Sequence, residues 1–183
     1  MSALRVVLTG SECTGKTTLA RFLAARYDTA WCPEFARDYL DQKGAPLTAD
    51  DVEPIARGQG AAEDVALRGA HRLLFLDTDL LSTVLYARHY YGACPPWIEE
   101  EARTRRGRLY LLNHPDVPWT SDGLQRDRGD RREEMQALFE GVLGEFGARV
   151  VDISGPWEER RQRALTAVEG LLRESRAASE GQA

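Results

Sequence analysis

Cysteine and histidine are scarce in this chain, and long apolar runs are missing. The three cysteines, Cys13, Cys32 and Cys94, are an odd set without Cys-x-x-Cys spacing, which argues against both a disulfide framework and a structural zinc site. The three histidines, His71, His89 and His114, lack metal-ligand spacing. No apolar run approaches the ~20 residues that span a bilayer. The opening stretch MSALRVVLTG has no extended apolar region or small-residue cleavage site, so it does not read as a signal peptide. A basic balance is also absent: 24 Lys and Arg against 29 Asp and Glu give a net charge of −5, the wrong sign for a general nucleic-acid binder. These absences lead us to expect a protein of the reducing cytoplasm, with neither nucleic acid nor membrane as partner. Nothing in the sequence specifies an oligomeric state.

What is present fits one globular domain over residues 1–183, with 43% apolar and 29% charged residues. Short apolar runs read as buried strands at Leu4–Thr9, Thr29–Pro33, Arg72–Leu76, Arg108–Leu112 and Arg149–Ile153. Helical periodicity fills the intervals: Lys16–Arg26, Phe35–Gln42, a stretch capped by Thr48 and ended by Gly69, Leu80–Tyr91, a stretch opened by the Pro95-Pro96 pair, Asp130–Phe146, and a last helix from Pro156 to about Ser175. Gly58 and Gly60 weaken the expectation that the Thr48–Gly69 helix is continuous. Residues 176–183 read as a frayed tail. The alternation implies an α/β fold, a five-stranded parallel sheet with helices on both faces. The aperiodic segment 114–130 is its expected lid.

The strongest chemical signal is Gly10-Ser11-Glu12-Cys13-Thr14-Gly15-Lys16-Thr17, which matches G-x-x-x-x-G-K-[ST] between a strand and a helix and makes the expected fold that of a P-loop NTPase. Glycines let such a loop curl so that its amides converge on one point, where the following helix adds its positive end. We expect residues 10–17, with Thr18, to bind the polyphosphate of ATP. Lys16 would reach the β- and γ-phosphates, and the Thr17 hydroxyl would complete a Mg2+ shell.

Carboxylates at strand ends would complete the site. Asp77 closes the RLLFL strand and is the expected metal-linked acid. Asp79 reads equally well as a helix N-cap and as a residue touching substrate or metal. Glu34 follows the second strand, facing the crevice that holds the phosphate loop in a doubly wound sheet. There it could take the proton of an attacking hydroxyl. Arg37 either flanks it or forms a surface pair. In the lid, Arg126 and Arg128 would steady the transferring group, and Trp119 would cover a ligand or anchor the loop.

Four segments in order, GSECTGKTTL at 10–19, PEFARDYL at 33–40, FLDTDLLSTVLYARHYYG at 75–92 and LLNHPDVPWTSDGL at 111–124, resemble the ribosylnicotinamide kinase domain of NadR-type proteins. The resemblance implies ATP-dependent phosphorylation of a ribose 5′-hydroxyl, giving nicotinamide mononucleotide in NAD salvage. It places Lys16 and Thr17 at phosphate and Mg2+, Glu34, Asp77 and Asp79 at the catalytic crevice, and Trp119 with Asp122 in the lid. Two departures stand out. Pro33 occupies the place of an aromatic residue that directly precedes the glutamate in familiar members, and the lid arginine falls one residue later, at Arg126. A kinase of another nucleoside and a regulatory P-loop ATPase are the alternative readings.

Overall fold

In the computed structural model, which describes residues 3–118 and 131–181, the five apolar runs form one parallel sheet. Its elements are β1 (Leu4–Thr9), α1 (Lys16–Tyr27), β2 (Trp31–Cys32), α2 (Phe35–Lys43), a 3-10 turn (Ala49–Asp51), α3 (Val52–Arg68), β3 (Leu73–Asp77), α4 (Leu80–Tyr91), α5 (Pro96–Arg105), β4 (Leu109–Asn113), α6 (Arg132–Glu145), β5 (Val150–Ile153) and α7 (Trp157–Glu180). The strand order is β2-β3-β1-β4-β5. Placing β1 between β3 and β4 opens a crevice at the carboxyl end of β1, where ligands bind in open α/β sheets.

Alternation along the strands divides the core. Val6 and Leu8 of β1, Phe75 of β3 and Leu109 and Leu111 of β4 pack with Leu19 and Leu23 of α1 and Val168 and Leu171 of α7. Val7, Leu74, Leu76, Tyr110 and Leu112 point the other way, onto α3, α4 and α6 through Ala56, Leu81, Leu85 and Phe139. Both faces are covered, which is why β1, β3 and β4 read as nearly continuous apolar runs. No helix among the described residues is long and apolar enough to cross a membrane.

Two boundaries depart from the sequence expectation, and one expected helix holds despite its glycines. The second strand shrinks to Trp31–Cys32, and ahead of it the Thr29 hydroxyl, not a ladder amide, donates to the Leu73 carbonyl at 2.6 Å. The helix after Thr48 is continuous from Val52 through both glycines to Arg68. Packing explains this: a methyl group at Gly58 would lie 2.0 Å from the Phe35 ring, so glycine is what lets α2 rest on α3. The last helix continues past Ser175 to Glu180, so most of the segment expected to fray is helical.

Candidate functional site

Every feature of the 10–17 turn serves to expose its amides. Gly10 has φ +121°, and a methyl group there would sit 2.5 Å from the Asn113 carbonyl oxygen of β4. Gly15 has φ +83°, and Cys13 holds φ +55° without being a glycine, a strained state of the kind found at ligand clamps. The Thr14 hydroxyl donates to the Ser11 carbonyl at 2.9 Å and braces the curl from inside. Gly15 caps α1 with no side-chain hydrogen bond, and the first turn of α1 carries no acidic residue, so that turn's free N–H groups and the helix dipole are left for an anion. The Lys16 ammonium lies across the loop, donating to the carbonyls of Gly10 at 3.0 Å and Ser11 at 2.8 Å. Replacing Gly10 by Ala should destabilise the fold by about 1–3 kcal/mol, read by chemical denaturation. An unchanged midpoint would mean that β4 yields to the added methyl.

Asp77 meets this loop from β3. Its Oδ2 accepts the Thr17 hydroxyl at 2.5 Å, while its Oδ1 is buried and makes no hydrogen bond among the described residues. A buried carboxylate oxygen without a donor, beside a hydroxyl oxygen, is a hard donor set suited to a small divalent cation. The described residues hold no cluster of three His, Cys, Asp or Glu side chains that would bind an ion without phosphate oxygens. Thr78 follows with φ +68° and turns the chain, so that Asp77 and Asp79 address different partners.

Asp79 is 6% exposed, and both of its oxygens are engaged. Oδ1 accepts the Leu81 amide as the N-cap of α4, and Oδ2 accepts the Tyr110 hydroxyl at 2.6 Å. Burial pushes its pKa up to about 6, with the Tyr110 hydrogen bond opposing the shift. Glu63 is 1% exposed and accepts from Gln59 Nε2. Its pKa is pushed up to about 7 by burial and by the Asp79 charge, against the pull of Gln59, Arg5 and Arg105.

Raised carboxyl pKa values mean that the folded chain holds these protons more tightly than the unfolded one. Their stabilising contribution is therefore complete below the unfolded value, ~4, and is lost as pH rises through about 6 to 7. Glu63→Gln should thus gain on the parent protein between pH 5 and pH 8, by on the order of 1–3 kcal/mol in thermal or denaturant melts. A constant difference across that range would show that Glu63 does not titrate there.

A cleft between α2, α3 and α4 adjoins the Asp77–Asp79 turn. Its lining includes Glu34, Gln59, Thr78, Ser82, Tyr86 and Tyr91, and it measures about 470 Å³, open solvent at its mouth included. The Ser82 hydroxyl is buried there without a hydrogen bond among the described residues. Glu34 is the N-cap of α2, and its neighbour's amide, Phe35 N–H, donates to Gln59 Oε1 at 3.0 Å. Arg37 places its Nε 4.0 Å from Glu34 Oε2. Glu34 thus stands on the cleft wall, whereas Asp79 is not among the lining residues.

Of the lid residues named from the sequence, Trp119, Asp122, Arg126 and Arg128 lie outside the described residues. Two further arginines touch the phosphate loop. Arg132, which begins α6, donates to the Cys13 and Val117 carbonyls. Arg160 of α7 donates to the carbonyls of Thr14, Gly155 and His114 and pairs with Asp116. Arg132 ends the arginine-rich run 126–132 (RDRGDRR), a sequence pattern that suits either a solvated loop and helix end or arginines closing over phosphates. Arg160 sits in a polar helix outside that run. Trp157, 38% exposed, comes within 3.6 Å of where a side chain on Gly15 would begin.

A family model described as "AAA domain" matches residues 5–160. The chain is 32% identical over 175 residues to the trifunctional NAD biosynthesis/regulator protein NadR of Escherichia coli (strain K12), covering 92% of this chain and 42% of that one. It superposes on NadR protein in complex with NR with a TM-score of 0.77 at 27% identity, over 92% of this chain and 51% of the other. For NadR protein in complex with NAD and AMP-PNP the TM-score is 0.74 at 26% identity, over 92% and 49%. The chain thus spans about half the length of these relatives or less.

Proposed function

We propose, since this chain belongs to the AAA domain family, that it is an ATP-dependent kinase of a small-molecule nucleoside, nicotinamide riboside first among the candidates. The observation that carries the reading is the contact between Thr17 and Asp77, which joins the phosphate loop to the turn bordering a cleft with a carboxylate on its wall. An acceptor hydroxyl brought to Glu34 from that cleft would approach the crevice beside the loop. The similarity to NadR proteins, one of them described with NR and another with AMP-PNP, supports both substrates.

In this mechanism Lys16 leaves the Gly10 and Ser11 carbonyls for the β- and γ-phosphate oxygens. The amides of the 10–17 turn hold the same oxygens in place. Thr17 and Asp77 would hold magnesium, which when bound neutralises the phosphate charge. Glu34 orients the acceptor hydroxyl and removes its proton as the phosphoryl group transfers. Tyr86 and Tyr91 line the cleft and are the aromatic side chains that the base of the acceptor would meet there. Arg126 and Arg128 would steady the transferring group from the lid, with Trp119 and Asp122 over the acceptor. The reaction is expected to belong to NAD biosynthesis.

A coupled ADP-release assay over a panel of nucleosides tests this. Turnover with nicotinamide riboside is the expected result. Turnover with a deoxynucleoside and none with nicotinamide riboside would reassign the acceptor, and ATP hydrolysis indifferent to every nucleoside would favour a regulatory ATPase.

A further inference from the structure

The phosphate loop makes its hydrogen bonds to an anion with N–H groups, and those N–H groups have to be aimed. A trans peptide unit is planar, with its C=O and the following N–H pointing in opposite directions. Whatever pulls a loop carbonyl outward therefore turns the next amide inward. Two buried arginines do this at consecutive peptide planes. Arg132, 7% exposed, donates from Nη2 to the Cys13 carbonyl at 3.3 Å, which orients the Thr14 amide. Arg160, 1% exposed, donates from Nη1 to the Thr14 carbonyl at 3.2 Å, which orients the Gly15 amide. Each guanidinium also grips the segment leaving β4: Arg132 through the Val117 carbonyl at 2.9 Å, and Arg160 through the His114 carbonyl at 2.9 Å and the Asp116 carboxylate.

The two differ in charge balance. Arg160 has Asp116 as its counter-charge, and Asp116 is itself fixed by accepting the Gly155 amide. Among the described residues Arg132 forms no ion pair: its recorded partners are neutral carbonyls, and its Nε is buried without any hydrogen bond. Burial lowers the pKa of both guanidinium groups, so the difference between them lies in their partners. A buried, unpaired cation is costly unless something negative comes to it.

We propose that Arg132 and Arg160 are positioning residues that aim the Thr14 and Gly15 amides at a bound triphosphate, and that Arg132 takes that triphosphate as its counter-charge. The proposal rests on the kinase reading, because it assumes a polyphosphate in the 10–17 turn. It adds a role for two side chains far from the loop in sequence.

The test is a titration of the full chain with MgAMP-PNP and, separately, with nicotinamide riboside, with a thermal melt of each protein. Arg132→Gln should weaken MgAMP-PNP roughly 10- to 100-fold and leave nucleoside affinity within about twofold. Arg132→Lys keeps the charge but cannot bridge two carbonyls in fixed geometry. It should recover part of the loss, and it carries the test if the glutamine variant does not fold. Arg160→Lys should also weaken the nucleotide, with a lower melting temperature because Asp116 loses its partner. If the parent protein binds MgAMP-PNP and the folded Arg132 variants bind it equally well, the proposal fails while the kinase reading stands. An equal loss for nucleotide and nucleoside, with a lowered melting temperature, would also overturn it in favour of plain core packing. If the parent itself fails to bind MgAMP-PNP, the kinase reading fails first.

Discussion

Lys16→Ala is expected to lower kcat/KM for ATP by on the order of 10²–10³-fold while moving the melting temperature by only a few degrees. The ammonium lies in the phosphate loop and donates to two loop carbonyls. The carbonyls are neutral and part-buried, so water can replace the ammonium on them at small cost. The curl itself is held by other means: the close approach of Gly10 to Asn113, the Thr14 hydroxyl on the Ser11 carbonyl, and the Arg132 and Arg160 donors. Against the charge that develops on the transferring phosphoryl group, however, the ammonium has no substitute at that position. A coupled assay and a melt on the same preparation separate the two effects. A variant that folds and turns over at the parent rate would remove Lys16 from the chemistry.

Glu34→Gln should reduce kcat by roughly 10²–10⁴-fold and change the acceptor KM little, because glutamine keeps the shape and loses the ability to take a proton. Glu34 is well placed for the role, a quarter exposed on the cleft wall with Arg37 beside it. The contrast with Asp79→Asn is informative. Asp79 already spends both oxygens on Leu81 and Tyr110, so its amide variant should chiefly lose thermal stability. If the pattern reversed, with Asp79→Asn losing kcat at unchanged melting temperature and Glu34→Gln remaining fully active, the base would be Asp79.

These residues also show what a sequence reveals and what it hides. The phosphate loop was legible because its fixed positions are contiguous and flanked by a strand and a helix, so local physics alone identifies it. Asp77 was legible because it ends an apolar strand, and the structure brings it to Thr17, 60 positions away. Asp79 was ambiguous for a physical reason. An N-cap and a catalytic acid both call for a short carboxylate at that place, and the partner that engages its second oxygen, Tyr110, is 31 residues distant. The role of Arg160 was invisible, since it is defined by backbone carbonyls as far away as Thr14, 146 positions back, and carbonyls leave no side-chain signature. Propensity counts Gly58 as a breaker and so weakened the expectation of one helix between Thr48 and Gly69, whereas contact with Phe35 makes a glycine necessary there.

Calorimetric titration of the protein with ATP, with and without magnesium, is the most direct trial of the polyphosphate cradle. Saturable binding that strengthens with magnesium and is lost in Lys16→Ala is the expected outcome. A flat titration of the folded protein under both conditions would contradict it.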